Sequence, residues 1–148
     1  MLLLEASMFA ATTLKKLVEP GAPGNTLVPS IVMPDLHMTE RVEIASLLPA
    51  LQSLTQDFAA RFKVFPHLCC ELAATRVEQL GLGLTYVNGI FLRGNEGHAH
   101  AWNMSSKLGI YVDVTARQFS EALPSILIVP INSEFAQKHY LHDWHITW

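Results

Sequence analysis

A chain of 148 residues suffices for one domain that buries about two-thirds of its unfolded surface. Half of its residues are hydrophobic and only 16% are charged, which excludes a disordered chain and leaves apolar surface for a partner or a second copy of itself. A net charge of −3 carries no basic footprint for nucleic acid, and no apolar run reaches the length of a membrane span, so neither is an expected partner.

The start, Met1-Leu-Leu-Leu-Glu5, lacks a basic stretch before its apolar residues and does not read as a signal peptide. The only two cysteines, Cys69 and Cys70, are adjacent, which excludes a disulfide framework and a C-x-x-C metal knuckle. Together these features predict a cytoplasmic protein.

In chain order, residues 1–19 are predicted helical and end at Pro20-Gly21-Ala22-Pro23-Gly24. Residues 20–38 hold four of the eight prolines and read as an extended connection or lid. Thr39 can cap a helix from Glu40, whose apolar stripe includes Val42, Ile44, Leu47, Leu51, Leu54 and Phe58. Pro49 lies inside the stripe and should split it into two helical pieces. Residues 1–60 thus form a helical N-terminal part, and 66–130 form the core that carries chemistry.

From Cys70 to Gly81 the period is helical, with Cys70, Ala73, Ala74, Val77 and Leu80 on one face and Gly81 as C-cap. The period then changes to two. Strands are predicted over 84–93, 98–104 and 109–114, with turns at 94–97 and 105–108, and a further strand over 126–129. The tail from Glu134 begins as helix. Helices first and an antiparallel sheet afterwards define an α+β fold.

A four-residue loop at 105–108 would pair Met104 with Gly109, Trp102 with Tyr111, and His100 with Asp113. Directly opposed residues have Cβ atoms about 4.5–5.5 Å apart, which suits a carboxylate orienting an imidazole. Alternation places His98, His100 and Trp102 with Tyr111, Asp113 and Thr115 on a polar face. Ala99 and Ala101 join Ile110, Val112 and Val114 on the core face. A thiol at a helix N-terminus beside an imidazolium is stabilised as the thiolate, the form that attacks. Cys70, His100 and Asp113 therefore read as nucleophile, base and orienter, with Cys69 as the alternative nucleophile. Trp102 can wall the site, or simply pack, and His98 can flank it.

Cys70-x-x-Ala73 heading a helix, His100-Ala-Trp102, and Asp113-Val-Thr115 followed by Gln118-Phe119 together resemble the transglutaminase-like branch of the papain-like cysteine hydrolases. The resemblance spans residues 66–120. It implies a papain-like or transglutaminase-like core in which Cys70 is the nucleophile, His100 the general base and acid, and Asp113 the orienter. The implied activity is that of a thiol peptidase, deamidase or acyl transferase on a peptide or protein substrate, with no cofactor. A catalytically inactive interaction module on the same fold is the alternative. Two positions depart from the family pattern. His67-Leu68-Cys69 stands where many relatives have a glycine before the nucleophile, and Phe62 to His67 contains no oxyanion-hole glutamine. The Cys70 N–H is one candidate donor, with Gln118 or His67 as the second.

His139-x-x-His142-x-x-His145 has metal-like composition but not metal-like spacing. On a helix the third histidine drifts off the face, and on a strand odd spacing alternates faces, so no metal site is expected.

Overall fold

The computed structural model describes residues 29–31 and 38–142, and they form an α+β fold. The elements are β1 (Pro29–Ile31), α1 (Met38–Ala45), α2 (Leu48–Arg61), α3 (Cys70–Gln79), β2 (Thr85–Arg93), β3 (Glu96–Ser105), β4 (Ile110–Asp113), β5 (Ile126–Pro130), α4 (Glu134–His139) and β6 (Tyr140–His142). A 3₁₀ turn, Ala116–Gln118, follows β4. The predicted helix over 1–19 lies outside the described residues, as do Asp143 and His145.

The six strands form one sheet in the order β1-β5-β4-β3-β2-β6, antiparallel except for the parallel pair β1–β5. Residues 29–31, expected within an extended connection or lid, form an edge strand paired with β5. Three residues are too few to show a period.

The amphipathic stripe after Thr39 divides as the proline demands. Helix α1 stops at Ala45, and α2 takes Pro49 into its first turn, where a missing N–H costs nothing. Leu51, Leu54 and Phe58 of α2, with Ala73 and Val77 of α3, pack on Ile110, Val112, Ile126 and Ile128 of the sheet and on Val114 just after β4. Helix α3 ends at Gln79, and Gly81 adopts the left-handed φ of +71° that lets the chain leave it. Leu80, expected on the buried face, is exposed because the helix has already ended.

The opposite sheet face is a second core rather than a solvated polar face. Val87, Phe91, Trp102, Tyr111, Leu127 and Tyr140 cluster there beneath Phe119 and Ala136. Covering elements from after β4 bury that face over the C-terminal half of β3 and over β4, all four of whose residues are buried. Alternation could not show this, because the cover comes from distant segments.

Two hairpin details also differ from expectation. The β2–β3 turn has only Gly94-Asn95 between the paired Arg93 and Glu96, with Gly94 at φ +62°, so β3 begins at Glu96 and not at His98. The β3–β4 register is Asn103–Val112, Met104–Tyr111 and Ser105–Ile110, two residues away from the expected pairing. Gly109 has φ +64° and belongs to the loop 106–109, which the Ser105 hydroxyl holds by accepting from the Leu108 N–H at 3.1 Å. Because the displacement is an even number, His100 and Asp113 keep a common face. They are diagonal neighbours and not opposed residues.

Strand β6 lies against β2 through Gly89, Ile90 and Phe91. A Cβ at Gly89 would run into the Leu141 carbonyl and stand 2.6 Å from Trp102 Cη2, so this close approach requires glycine. Among the described residues, no helix is long and apolar enough to cross a membrane.

Candidate active site

The site forms where the sheet splits. Strand β3 pairs with β2 from Glu96 to Met104 but with β4 only over Asn103–Ser105, so residues 98–102 present an open side toward the tip of α3. Helix α3 is fixed there by Ala73, Ala74 and Val77, whose small side chains allow close packing. Buried Asn103 adds a tie, donating through Nδ2 to the Ala74 carbonyl at 2.9 Å. This seats Cys70, the first residue of α3, beside the backbone of Ala101 and the ring of His100.

Asp113 is 1% exposed and its carboxylate is fully occupied. Oδ1 accepts from the Thr115 N–H at 2.9 Å and the Thr115 hydroxyl at 3.2 Å. Oδ2 accepts from His100 Nε2 at 2.7 Å and from the Tyr140 hydroxyl at 2.7 Å. Burial pushes this carboxyl up, but the His100 charge and the surrounding donors hold it below the usual carboxylate range. An ionised carboxylate only accepts, so the proton on His100 must sit on Nε2. Nδ1 is left as the basic nitrogen of the neutral ring, and Gln118 Nε2 lies 3.3 Å from it.

His100 is 2% exposed. Burial lowers its pKa, yet the Asp113 charge and hydrogen bond, with a further contribution from Cys70, raise it to about 9. Burial likewise pushes the Cys70 thiol up. Hydrogen bonds from the His100 ring and the Ala101 N–H, with the imidazolium charge, overcome that and hold Cys70 below the ordinary thiol value. Both directions favour a thiolate–imidazolium pair. Cys69 is different. It precedes the helix, packs in the core, and has its pKa raised by burial and by the neighbouring Cys70.

Comparison with protein-family models, curated proteins and solved structures finds no match.

Of the residues singled out in the sequence, Cys70, His100, Asp113 and Gln118 converge. His67 does not join them. Its side chain is exposed in the turn before Cys69, where its backbone N–H donates to the Val64 carbonyl. Trp102 is buried beside His100, ring centroids 5.8 Å apart, and supports the imidazole from within the core. His98 is partly exposed, 5.5 Å from the Phe119 ring, with Nε2 3.6 Å from Glu96. Leu68, just before the cysteine pair, adopts φ +60° with its side chain 90% exposed. The backbone conformation that glycine favours is thus present without the glycine, at a cost of about 1–2 kcal/mol.

Tyr140 was not legible as a site residue. It sits 27 residues beyond Asp113 on a three-residue strand, and no local spacing signals a hydroxyl aimed at a carboxylate. His139 is structural: its Nδ1 donates to the Leu92 carbonyl at 2.8 Å, its ring stacks on Phe91, and burial keeps it neutral. Among the described residues, no group of three or more metal-ligating side chains gathers.

A groove of about 710 Å³ lies elsewhere, between α2 and α3, lined by Leu54, Phe58, Phe62, Leu72 and Leu80 with Arg61 and Arg76. Cys70 is not part of it.

Proposed function

We propose that this chain is a thiol-dependent amide hydrolase or acyl transferase with a papain-like or transglutaminase-like core. The observation that carries the reading is the buried His100–Asp113 pair at 2.7 Å, with the thiol of Cys70 held at the imidazole and against the Ala101 N–H. In this reading Nδ1 of His100 takes the thiol proton, and the sulfur attacks the amide carbonyl. The carbonyl oxygen becomes an oxyanion beside the free N–H groups at the start of α3. Proton return from Nδ1 to the departing nitrogen releases the amine and leaves a thioester on Cys70. Water or a second amine, deprotonated by Nδ1, then displaces the sulfur and restores the thiol.

Gln118 supplies the second oxyanion donor. Its amide contacts are long, 3.3 Å to Nδ1 and 3.4 Å to the Thr115 hydroxyl, so it is lightly held. Once Nδ1 is protonated it no longer accepts from Gln118, and the amide N–H is released toward the adjacent oxyanion. Peptide-bond cleavage ranks ahead of side-chain deamidation.

The test is turnover of a fluorogenic peptide-amide library, run beside ammonia release from glutamine-containing peptides. Wild type and Cys69→Ala should turn over one set and form an acyl adduct on Cys70, whereas Cys70→Ala should do neither. An inert wild type whose Cys70 titrates as an ordinary thiol would sink the proposal. The apolar groove between α2 and α3 favours a second reading, an interaction module on the same fold, and that outcome would select it.

A further inference from the structure

We propose that Tyr140 is a positioning residue for the His100–Asp113 pair: its hydroxyl shares Asp113 Oδ2 with the imidazole, fixing the carboxylate's orientation and tempering its pull. This rests on the reading of Cys70, His100 and Asp113 as one reactive unit.

The geometry is specific. The two hydrogen bonds to Oδ2 are both 2.7 Å, and they come from β3 and β6, the two strands that flank β2. With Thr115 occupying Oδ1 twice, the carboxylate has no freedom to rotate. Each donor also withdraws charge from the oxygen it meets. Asp113 therefore attracts the imidazolium less strongly than a carboxylate bonded to histidine alone. That restraint has a chemical use, because an imidazolium held too firmly is a poor acid toward a departing amine. The phenol itself stays protonated, its pKa raised by burial and by the Asp113 charge.

Other features show that Tyr140 is placed and not merely packed. Its ring is buried 5.0 Å from Trp102 and 5.2 Å from Phe91, between two neighbours that also flank His100. The strand bearing it closes on Gly89, the position where any side chain would strike Leu141 and Trp102. The fold thus gives up a side chain on β2 to bring this hydroxyl in.

The titratable groups facing His100 are Cys70 from α3, Asp113 from β4 and Tyr140 from β6. Tyr111 from β4 faces Tyr140, and His139 is separated from His100 by the Phe91 ring. None of these besides Tyr140 changes in the test.

The experiment follows the His100 ring nitrogens by NMR as pH is raised, together with the pH profile of Cys70 alkylation. It compares the full chain with Tyr140→Phe and with 3-fluorotyrosine at position 140. Loss of the donor should move the His100 titration upward by about half a pH unit or more. The more acidic fluorophenol, a stronger donor that keeps the ring's packing, should move it downward. Opposite displacements establish the positioning role. If wild-type His100 is elevated and the Cys70 thiol depressed but neither variant displaces His100, Tyr140 only packs and the inference fails alone. A wild-type His100 that titrates in the ordinary range overturns the reactive-unit reading and this inference with it. The fluorinated chain decides the matter even if Tyr140→Phe does not fold.

Discussion

Cys69 and Cys70 are neighbours in sequence and opposites in environment. The first is buried in the core beneath α2 and α3, whereas the second opens α3 beside the His100 ring. One peptide unit separates a thiol whose anion is disfavoured from one whose anion is stabilised.

That contrast predicts selective alkylation. At pH 6 an unperturbed cysteine is thiolate to well under 1%, so iodoacetamide should label Cys70 at least about tenfold faster than a free thiol. Peptide mapping should find the label on Cys70, with Cys69 unmodified until the chain unfolds. Cys69→Ala should leave the fast phase intact and Cys70→Ala should remove it. Fast labelling that survives Cys70→Ala would transfer the reactive role to Cys69.

The His100–Asp113 pair predicts a window of maximal stability. His100 is raised to about 9 in the folded chain from about 6.5 when unfolded, so its contribution is complete below about 6.5 and is lost as pH rises through 9. Asp113 is depressed, so its contribution is present above the unfolded value of about 3.9 and is lost as pH falls through its folded value. Both operate between about pH 4 and 6.5. The unfolding free energy of wild type, from urea titrations, should fall between pH 6.5 and 9 by at most about 3 kcal/mol, because the depressed Cys70 thiol offsets part of the His100 loss over the same range. His100→Gln, less stable throughout, should lack that decline. An identical decline in the variant would assign it to another group.

How much of this arrangement was legible in the sequence follows from the range of each signal. The helix head at Cys70 and the small face of Ala73, Ala74 and Val77 are local, and the 3.6-residue period revealed them. The common face of His100 and Asp113 was also legible, since a two-residue period preserves parity under an even displacement. The register itself was not, because Gly109 could have opened a strand, and only its left-handed backbone puts it in the turn. The second core and Tyr140 were hidden for a different reason. Phe119 and Tyr140 cover His100 from segments 19 and 40 residues away, and a window of ordinary length does not span that separation.

The contact of β6 with β2 predicts an unequal response of two glycines. At Gly89 an added methyl meets backbone oxygen and the Trp102 indole, neither of which can move cheaply. Gly89→Ala should destabilise by about 1–3 kcal/mol and, by shifting β6, slow Cys70 alkylation. At Gly97 the same methyl stands 3.1 Å from Ile90 Cγ2, a contact that a shift of a few tenths of an ångström relieves. Gly97→Ala should cost clearly less. Equal melting temperatures for the two variants would mean that β6 does not hold its place on Gly89 in solution.

Gln118 separates the two stages of the proposed reaction. Thiolate formation depends on His100 and Ala101, whereas oxyanion stabilisation draws on the amide of Gln118 beside Nδ1. Gln118→Ala should therefore leave the pH onset of Cys70 alkylation in place, because an alkyl halide develops no oxyanion. Turnover of an amide should fall about 10²–10³-fold, the usual cost of one oxyanion donor. A merely structural Gln118 would move both readouts together or neither. A parallel loss in alkylation would show that its contact with Nδ1 sets the imidazole and not the oxyanion, and the second donor would then have to come from the backbone at the tip of α3.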